Sequence, residues 1–375
     1  MSTKINVRSP YYIKESNASL SYAVLELYVY SGEDKPLSPQ YTIKKYEIDS
    51  NNYVVFEISQ LVRDYLIPLS VENNLTTSVW VEADIELFDS SDVSLGTSNY
   101  DYIAFDGYGY FEEGVNPELS RTILQSNDII YRYINDEFGV VVFSEDVTNV
   151  SFYNNGVLLS ETSITDDTDS LTKGRYIEAN GVGGLQSFKN RVSQSGGTFI
   201  DSICLQQFYK SNNIKDVDKI YVTSSSGVDV LNVVNISECK YNPIKVRFYN
   251  KFGVIQDIWF FKKSTVKTSI KKEKYKRNTL IQSSIVYSTE DHQSVDYNLV
   301  ANESVVMNTG FVHEQYSEVI RQLLLSENVW AYIDDKYLPV SVSSNSIDYK
   351  TSLNDKLINY TMNFDFAFNK INDVT

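Results

Sequence analysis

Leu20–Tyr30 reads LSYAVLELYVY. Apolar and polar positions alternate through it, the two-residue period of a strand that buries one face and wets the other. The flanking text repeats the pattern. Tyr41–Ile48 and Tyr53–Phe56 are further strands, set apart by turn-forming runs at Ser31-Gly32-Glu33-Asp34, with Pro36 and Pro39, and at Asp49-Ser50-Asn51-Asn52. One helix interrupts the series: Ile58, Leu61, Val62, Tyr65 and Leu66 fall on a single stripe at i, i+3, i+4, i+7 and i+8, and Pro68 stops it. A strand resumes at Val79–Phe88. The aromatic segment Tyr100–Phe111 (YDYIAFDGYGYF) then leads to a turn at Gly114 and Asn116-Pro117.

Beyond that turn the text is less regular. Short strands are expected at Asp128–Ile134, Gly139–Phe143 and Val150–Tyr153, with a hairpin signal at Asn154-Asn155-Gly156. Asp166–Asp169 and the glycines at 181, 183, 184, 196 and 197 mark long connections. Strands sharpen again at Ile244–Tyr249 and Ile255–Phe261, and further ones are expected at Leu280–Tyr287, Val305–Thr309, Val329–Ile333, Tyr337–Val342 and Leu357–Phe368. A second helix at Glu314–Ser326 carries the stripe Tyr316, Val319, Ile320, Leu323 and Leu324. The expected fold is therefore mainly β: two or three β-sandwich-like domains, at 1–118, 119–240 and 241–375, with two short packed helices. Trp80, Trp259 and Trp330 are assigned to cores.

Composition supports sheets and narrows function. Apolar residues at 42% and charged ones at 22% describe a folded chain, and 375 residues exceed what one core organises. The 29 tyrosines suit a pleated, half-buried surface, and equally suit contacts between subunits; AT-rich coding would raise the same residue types. A net charge of −16 opposes non-specific binding to nucleic acid or anionic membrane. Cys204 and Cys239 are too few and too far apart for a disulfide framework or CxxC chemistry. No secretory leader is read at Met1–Pro10, and no apolar run approaches the roughly eighteen residues of a membrane span. Synthesis in a cytoplasm is the expectation.

Catalytic patterns are weak. His292 and His313 have no metal-ligand spacing, and no GxSxG elbow occurs. Thr172-Lys173-Gly174-Arg175 lacks the glycine spacing of a P-loop, and Asn180–Gly184 lacks the dinucleotide fingerprint. Asp167 and Asp169 open like a calcium loop, but Leu171 stands at the next ligand position. Asp84, Glu86, Asp106, Glu112 and Glu113, near Trp80, Tyr108 and Tyr110, could supply the carboxylate pair of a glycosidase, yet among 49 acidic residues such groupings arise by chance. The expectation is a chain that is not an enzyme and takes no cofactor and no metal.

Charge is uneven. Lys262, Lys263, Lys267, Lys271, Lys272, Lys274, Lys276 and Arg277 face only Glu273, a net +7 inside a −16 chain. This strip is either an exposed edge kept soluble by lysine or a surface that meets an acidic face of a neighbouring subunit. Nucleic acid fits it poorly, since Tyr275 is nearly alone as a stacking aromatic. Tyr108 and Tyr110 join the strip as interface candidates.

Four segments, Ile5–Ile13 (INVRSPYYI), Tyr241–Phe260 (YNPIKVRFYNKFGVIQDIWF), Thr309–Trp330 (TGFVHEQYSEVIRQLLLSENVW) and Tyr349–Phe368 (YKTSLNDKLINYTMNFDFAF), together resemble virion structural proteins of tailed bacteriophages, especially those of Bacteroidota hosts. The quoted segments make up about a fifth of the chain, and the resemblance carries over no catalytic residue. It implies a multicopy tail, baseplate or neck component, assembled in the host cytoplasm, whose partners are further copies of itself in a ring and other virion proteins. The rival from another class is a receptor-binding protein that recognises a host-surface glycan through Tyr100–Phe111.

Overall fold

The structure, a computed structural model, describes the chain except residues 1–2, 31–34, 49–50, 67–77, 119–122, 134–138, 144–146, 168–175, 180–186, 190–199, 205–216, 225–226, 282, 284, 345–356 and 372–375. The turn expected at 31–34 and the glycines at 181, 183, 184, 196 and 197 lie outside the described residues. As expected, the fold is mainly β, with several sheets and, among the described residues, two short α-helices. It divides into two compact units, Met1–Ser237 with Arg247–Trp259 and Gln315–Glu327, and Glu238–Val246 with Phe260–Glu314 and Asn328–Thr375.

The first unit begins with β1 (Thr3–Asn6), β2 (Tyr12–Ser16), β3 (Tyr22–Tyr30), β4 (Tyr41–Tyr46), β5 (Tyr53–Glu57), β6 (Ser78–Phe88) and β7 (Ser94–Phe105). Five of these form a sheet in the order β1-β7-β6-β3-β4, antiparallel except where β1 runs alongside β7; β2 and β5 pair separately. Alternation decides which face is inside. Leu25 and Leu27 of β3 and Val81, Ala83 and Ile85 of β6 are sealed from solvent, packed with Ile13, Val54 and Phe56 of the β2/β5 pair. Helix α1 (Ser59–Arg63) adds Val62 to this core, flanked by Ile58 and Leu66, while Tyr65 stays exposed. Each such aliphatic side chain contributes about 1.5–3 kcal/mol when buried.

The unit continues with β8 (Ile129–Tyr133), β9 (Gly139–Phe143), β10 (Val147–Asn154), β11 (Val157–Asp167), β12 (Tyr176–Ala179), β13 (Ser187–Lys189), β14 (Ile200–Cys204), β15 (Lys219–Ser224) and β16 (Gly227–Ile236). These give sheets ordered β12-β11-β10-β15-β16-β8 and β13-β14-β9. The β10–β11 hairpin turns at Asn155 (φ 48°) and Gly156 (φ 79°), both left-handed as a type I′ turn requires. Gly253 has φ 71°, and a Cβ there would sit 2.4 Å from the Asp106 carbonyl carbon, so only glycine fits.

Strands β17 (Ile244–Tyr249) and β18 (Ile255–Phe260) each straddle the division between units. In the second unit, β19 (Thr265–Lys276), the short pair β20 (Leu280–Ile281) and β21 (Val286–Tyr287), and β22 (Ser294–His313) precede β23 (Val329–Ile333), β24 (Lys336–Val342) and β25 (Leu357–Phe366). Its strands run β23-β24-β25-β22-β19, all antiparallel, with β19 at the edge. Val305, Met307, Ala331, Val340 and Phe364 form its buried side, and Phe260 meets Phe364 edge-on at 5.5 Å. Helix α2 (Ser317–Leu325), in the first unit, buries Val319, Ile320 and Leu323, with Tyr316 just before it. Trp80 and Trp259 are buried as expected; Trp330 is only half-buried.

Candidate interaction surfaces

The basic strip proves to be a long strand. Every residue of β19 is exposed, so it buries neither face. Along β22, Ser304–His313 pair on the far side with β25, but Ser294–Val300 have β19 as their one strand partner among the described residues. Lys271–Lys276 and Ser294–Val300 therefore form a two-stranded ribbon that runs on past the sheet. It bends at a register shift after Lys271, where Asn298 takes φ 47°. Beyond the bend, Tyr275 meets Tyr297 edge-on at 5.7 Å, and Lys272 and Lys274 reach Asp296 at 2.6 and 3.6 Å. Regular pairing puts Lys276 on the same face as Lys274.

Two further cations have carboxylate partners, Lys262 with Glu238 at 2.7 Å and Arg277 with Asp291 at 3.3 Å. The Lys272 hydrogen bond holds the Asp296 carboxyl below its ordinary range, and the Lys262 hydrogen bond does the same for Glu238. Lys263, Lys267, Lys271 and Lys276 are exposed and make no ion pair among the described residues.

Tyr108 and Tyr110 stand elsewhere, in the first unit, and are half-buried. Close approach at two glycines shapes their loop: a Cβ on Gly107 would meet Asn6 Oδ1 at 2.5 Å, and one on Gly109 would meet Pro117 Cδ at 2.4 Å. The Tyr110 hydroxyl donates to Glu318 at 2.6 Å, and its ring lies 3.7 Å from the Arg321 guanidinium and 4.6 Å from Lys251 Nζ. Burial, then the Glu318 hydrogen bond, pushes this phenol far up. Tyr108 meets Tyr110 edge-on at 5.8 Å with the Arg8 guanidinium 4.9 Å from its ring. Both rings are thus engaged by the chain's own cations, a fastening use of cation–π attraction.

The carboxylates around this pair are committed as well. Glu113 is bound by Lys251, Glu112 faces Arg321 at 3.6 Å, and Arg63 bridges Asp106 at 3.4 Å and Glu327 at 2.7 Å. Glu113 is held down despite burial, through the Lys251 hydrogen bond; burial pushes Asp106 up, opposed by Arg63 and Arg8. Asp84 and Glu86 are remote from this loop in register, on the outer face of β6.

That outer face is a feature not singled out from the sequence. In Val81–Leu87 (VEADIEL) the apolar residues are buried, and Glu82, Asp84 and Glu86 point the other way. Register places Glu26 opposite Asp84 and Asp101 opposite Glu82, so five carboxylates share one face. Lys35 answers two of them, at 3.1 Å from Glu82 and 2.8 Å from Asp84, and Lys44 joins the face opposite Val24. Tyr28 and Ser94 hydroxyls donate to Glu26 and Glu86. The negative potential reaches Tyr22, whose hydroxyl is pushed up to about 12 by its hydrogen bond to Asp92. An acidic residue at every second position was the available signal.

Among the described residues no helix is long and apolar enough to cross a membrane, and no group of three or more His, Cys, Asp or Glu side chains is placed to hold a metal ion. No known family model matches the chain, and no curated protein matches it.

Proposed function

We propose that this chain is a multicopy structural protein of a tailed-bacteriophage particle, a tail, baseplate or neck component that acts through subunit interfaces. The observation that carries the reading is the exposed ribbon of β19 and β22. A two-stranded ribbon with neither face buried is marginal by itself and gains stability once a partner covers it. Its lysines keep the edge from indiscriminate pairing until a charge-matched surface arrives. The likeness of four segments to virion proteins supplies the setting, assembly in the host cytoplasm and residence in the virion.

In this reading the chain closes into a ring with copies of itself and contacts other virion proteins. Rings suit modest contacts, because each closed interface of roughly 1,600 Å² reinforces its neighbours. Glycan recognition by Tyr108 and Tyr110 is disfavoured, since their rings and the Tyr110 hydroxyl already have partners within the chain.

Electron microscopy of the purified protein, with light scattering for mass, tests the proposal. Closed rings, or incorporation into particles of a tailed phage, are expected. A single-copy species at every concentration that also fails to join such particles would refute it.

A further inference from the structure

The ribbon and the acidic face have matching repeats. Lys272, Lys274 and Lys276 lie on one face of β19, and Glu82, Asp84 and Glu86 on one face of β6, each at every second residue. Successive charges on either strand are therefore about 6.6–6.8 Å apart. A lysine row laid along a carboxylate row stays in step over its whole length, and flexible lysine stems absorb the remaining mismatch.

Resting on the proposed assembly, we infer that the Lys272–Lys274–Lys276 row of one copy docks on the Glu82–Asp84–Glu86 face of a second copy. Three observations favour another copy of this chain as the occupant. Subtracting the strip's +7 from −16 leaves −23 on the remainder, so a second copy is itself a strongly acidic partner. Among the described residues, five carboxylates share the receiving face with three lysines, Lys4, Lys35 and Lys44, which leaves it net negative. Lys276 has no carboxylate partner among the described residues, and Lys272 and Lys274 share the single Asp296. Asp101, at the exposed rim of the face, has no ion-pair partner there either. Opposite rows of this kind fix register as well as attraction, because a slide of one residue, about 3.3 Å, moves each lysine out of step with its carboxylate.

The test is sedimentation velocity on the full chain from about 0.1 M to about 1 M salt, over which the screening length falls from about 10 Å to about 3 Å. Self-association should weaken steeply across that range. Lys272→Ser/Lys274→Ser/Lys276→Ser and, separately, Glu86→Lys/Asp101→Lys should each weaken it by about tenfold or more at low salt, with unchanged thermal melts as the control for folding. Mixing Lys272→Glu/Lys274→Glu/Lys276→Glu with Glu86→Lys/Asp101→Lys should restore tight association between the two variants. If the serine variant weakens association while the acidic-face variant does not, the receiving face is elsewhere: this inference falls and the oligomeric proposal stands. It falls in the same way if the serine variant loses only binding to a DNA or RNA oligonucleotide. A wild-type chain that neither self-associates at any salt nor joins particles brings down both.

Discussion

Arg247 and Asp257 face each other across the β17–β18 hairpin, joined by two hydrogen bonds of 2.7 and 2.8 Å, with side chains about 4% and 5% exposed. A buried pair of this geometry is costly to form and costlier to break. Asp257→Ala should therefore destabilise the protein by about 3–5 kcal/mol in urea denaturation, whereas Arg247→Met/Asp257→Leu together should recover most of that loss. A double variant as unstable as the single one would show that the pair does more than neutralise itself. Asp106 behaves oppositely with pH. Burial raises its carboxyl above the ordinary value of 3.8, so the folded state holds the proton more firmly than the unfolded chain. Its contribution is fully present below 3.8 and is lost as pH rises through the raised value. Asp106→Asn removes that loss, so its stability relative to wild type should improve as pH rises above 3.8 and through the raised value. A constant difference would assign the effect to lost Arg63 contacts. Neither Arg247 nor Asp257 was legible as a site: Asp257 interrupts an apolar run in IQDIW just as a solvent-facing residue would, because β18 is buried on both faces and alternation has no meaning there.

Elements were legible where one face is wet and the other dry. Helix α2 follows its stripe because Val319, Ile320 and Leu323 share one side, and β3 and β6 follow their alternation. Gln322, buried on that same helix, escaped notice; it accepts from Ser126 at 2.6 Å and from the Lys251 amide at 2.9 Å, contacts set by segments distant in sequence. The basic strip failed as a strand for the converse reason. With every residue of β19 exposed there is no apolar face to reveal a period, and only its charge was visible. The β22 strand was likewise expected at five residues and extends over 20. This exposure has a measurable consequence. In the isolated chain, amides of Lys271–Lys276 and Ser294–Val300 should exchange hydrogen faster than those of Ser304–Val306, which pair on both sides. Assembly should slow the ribbon selectively. Lys272→Ser/Lys274→Ser/Lys276→Ser should shift the stability of the unassembled protein by no more than about 0.5 kcal/mol. A larger loss would make the lysines part of the fold and not of an interface.

At the scale of the whole chain, the first compact unit is discontinuous, drawing residues 247–259 and 315–327 from far downstream. A reading that moves along the sequence cannot see this, since nothing local in Tyr241–Phe260 says which upstream cluster its side chains complete. Val254 closes the cluster of Tyr28, Tyr30, Trp80, Ile103 and Phe105. Gln256 accepts from the Ser126 amide and from Asn250, and Tyr316 packs edge-on against Tyr131 at 5.2 Å. A fragment of residues 1–237 lacks all of these and would expose both an apolar cluster and the polar groups they satisfy, the combination that turns a packed core into a loose one. Expressed alone, it should bind a hydrophobic dye and give poorly dispersed NMR spectra, while supplying residues 238–375 as a second chain should restore dispersion. A fragment that folds cooperatively by itself, with native-like dispersion and no dye binding, would mean that the downstream segments decorate a finished core and do not complete it.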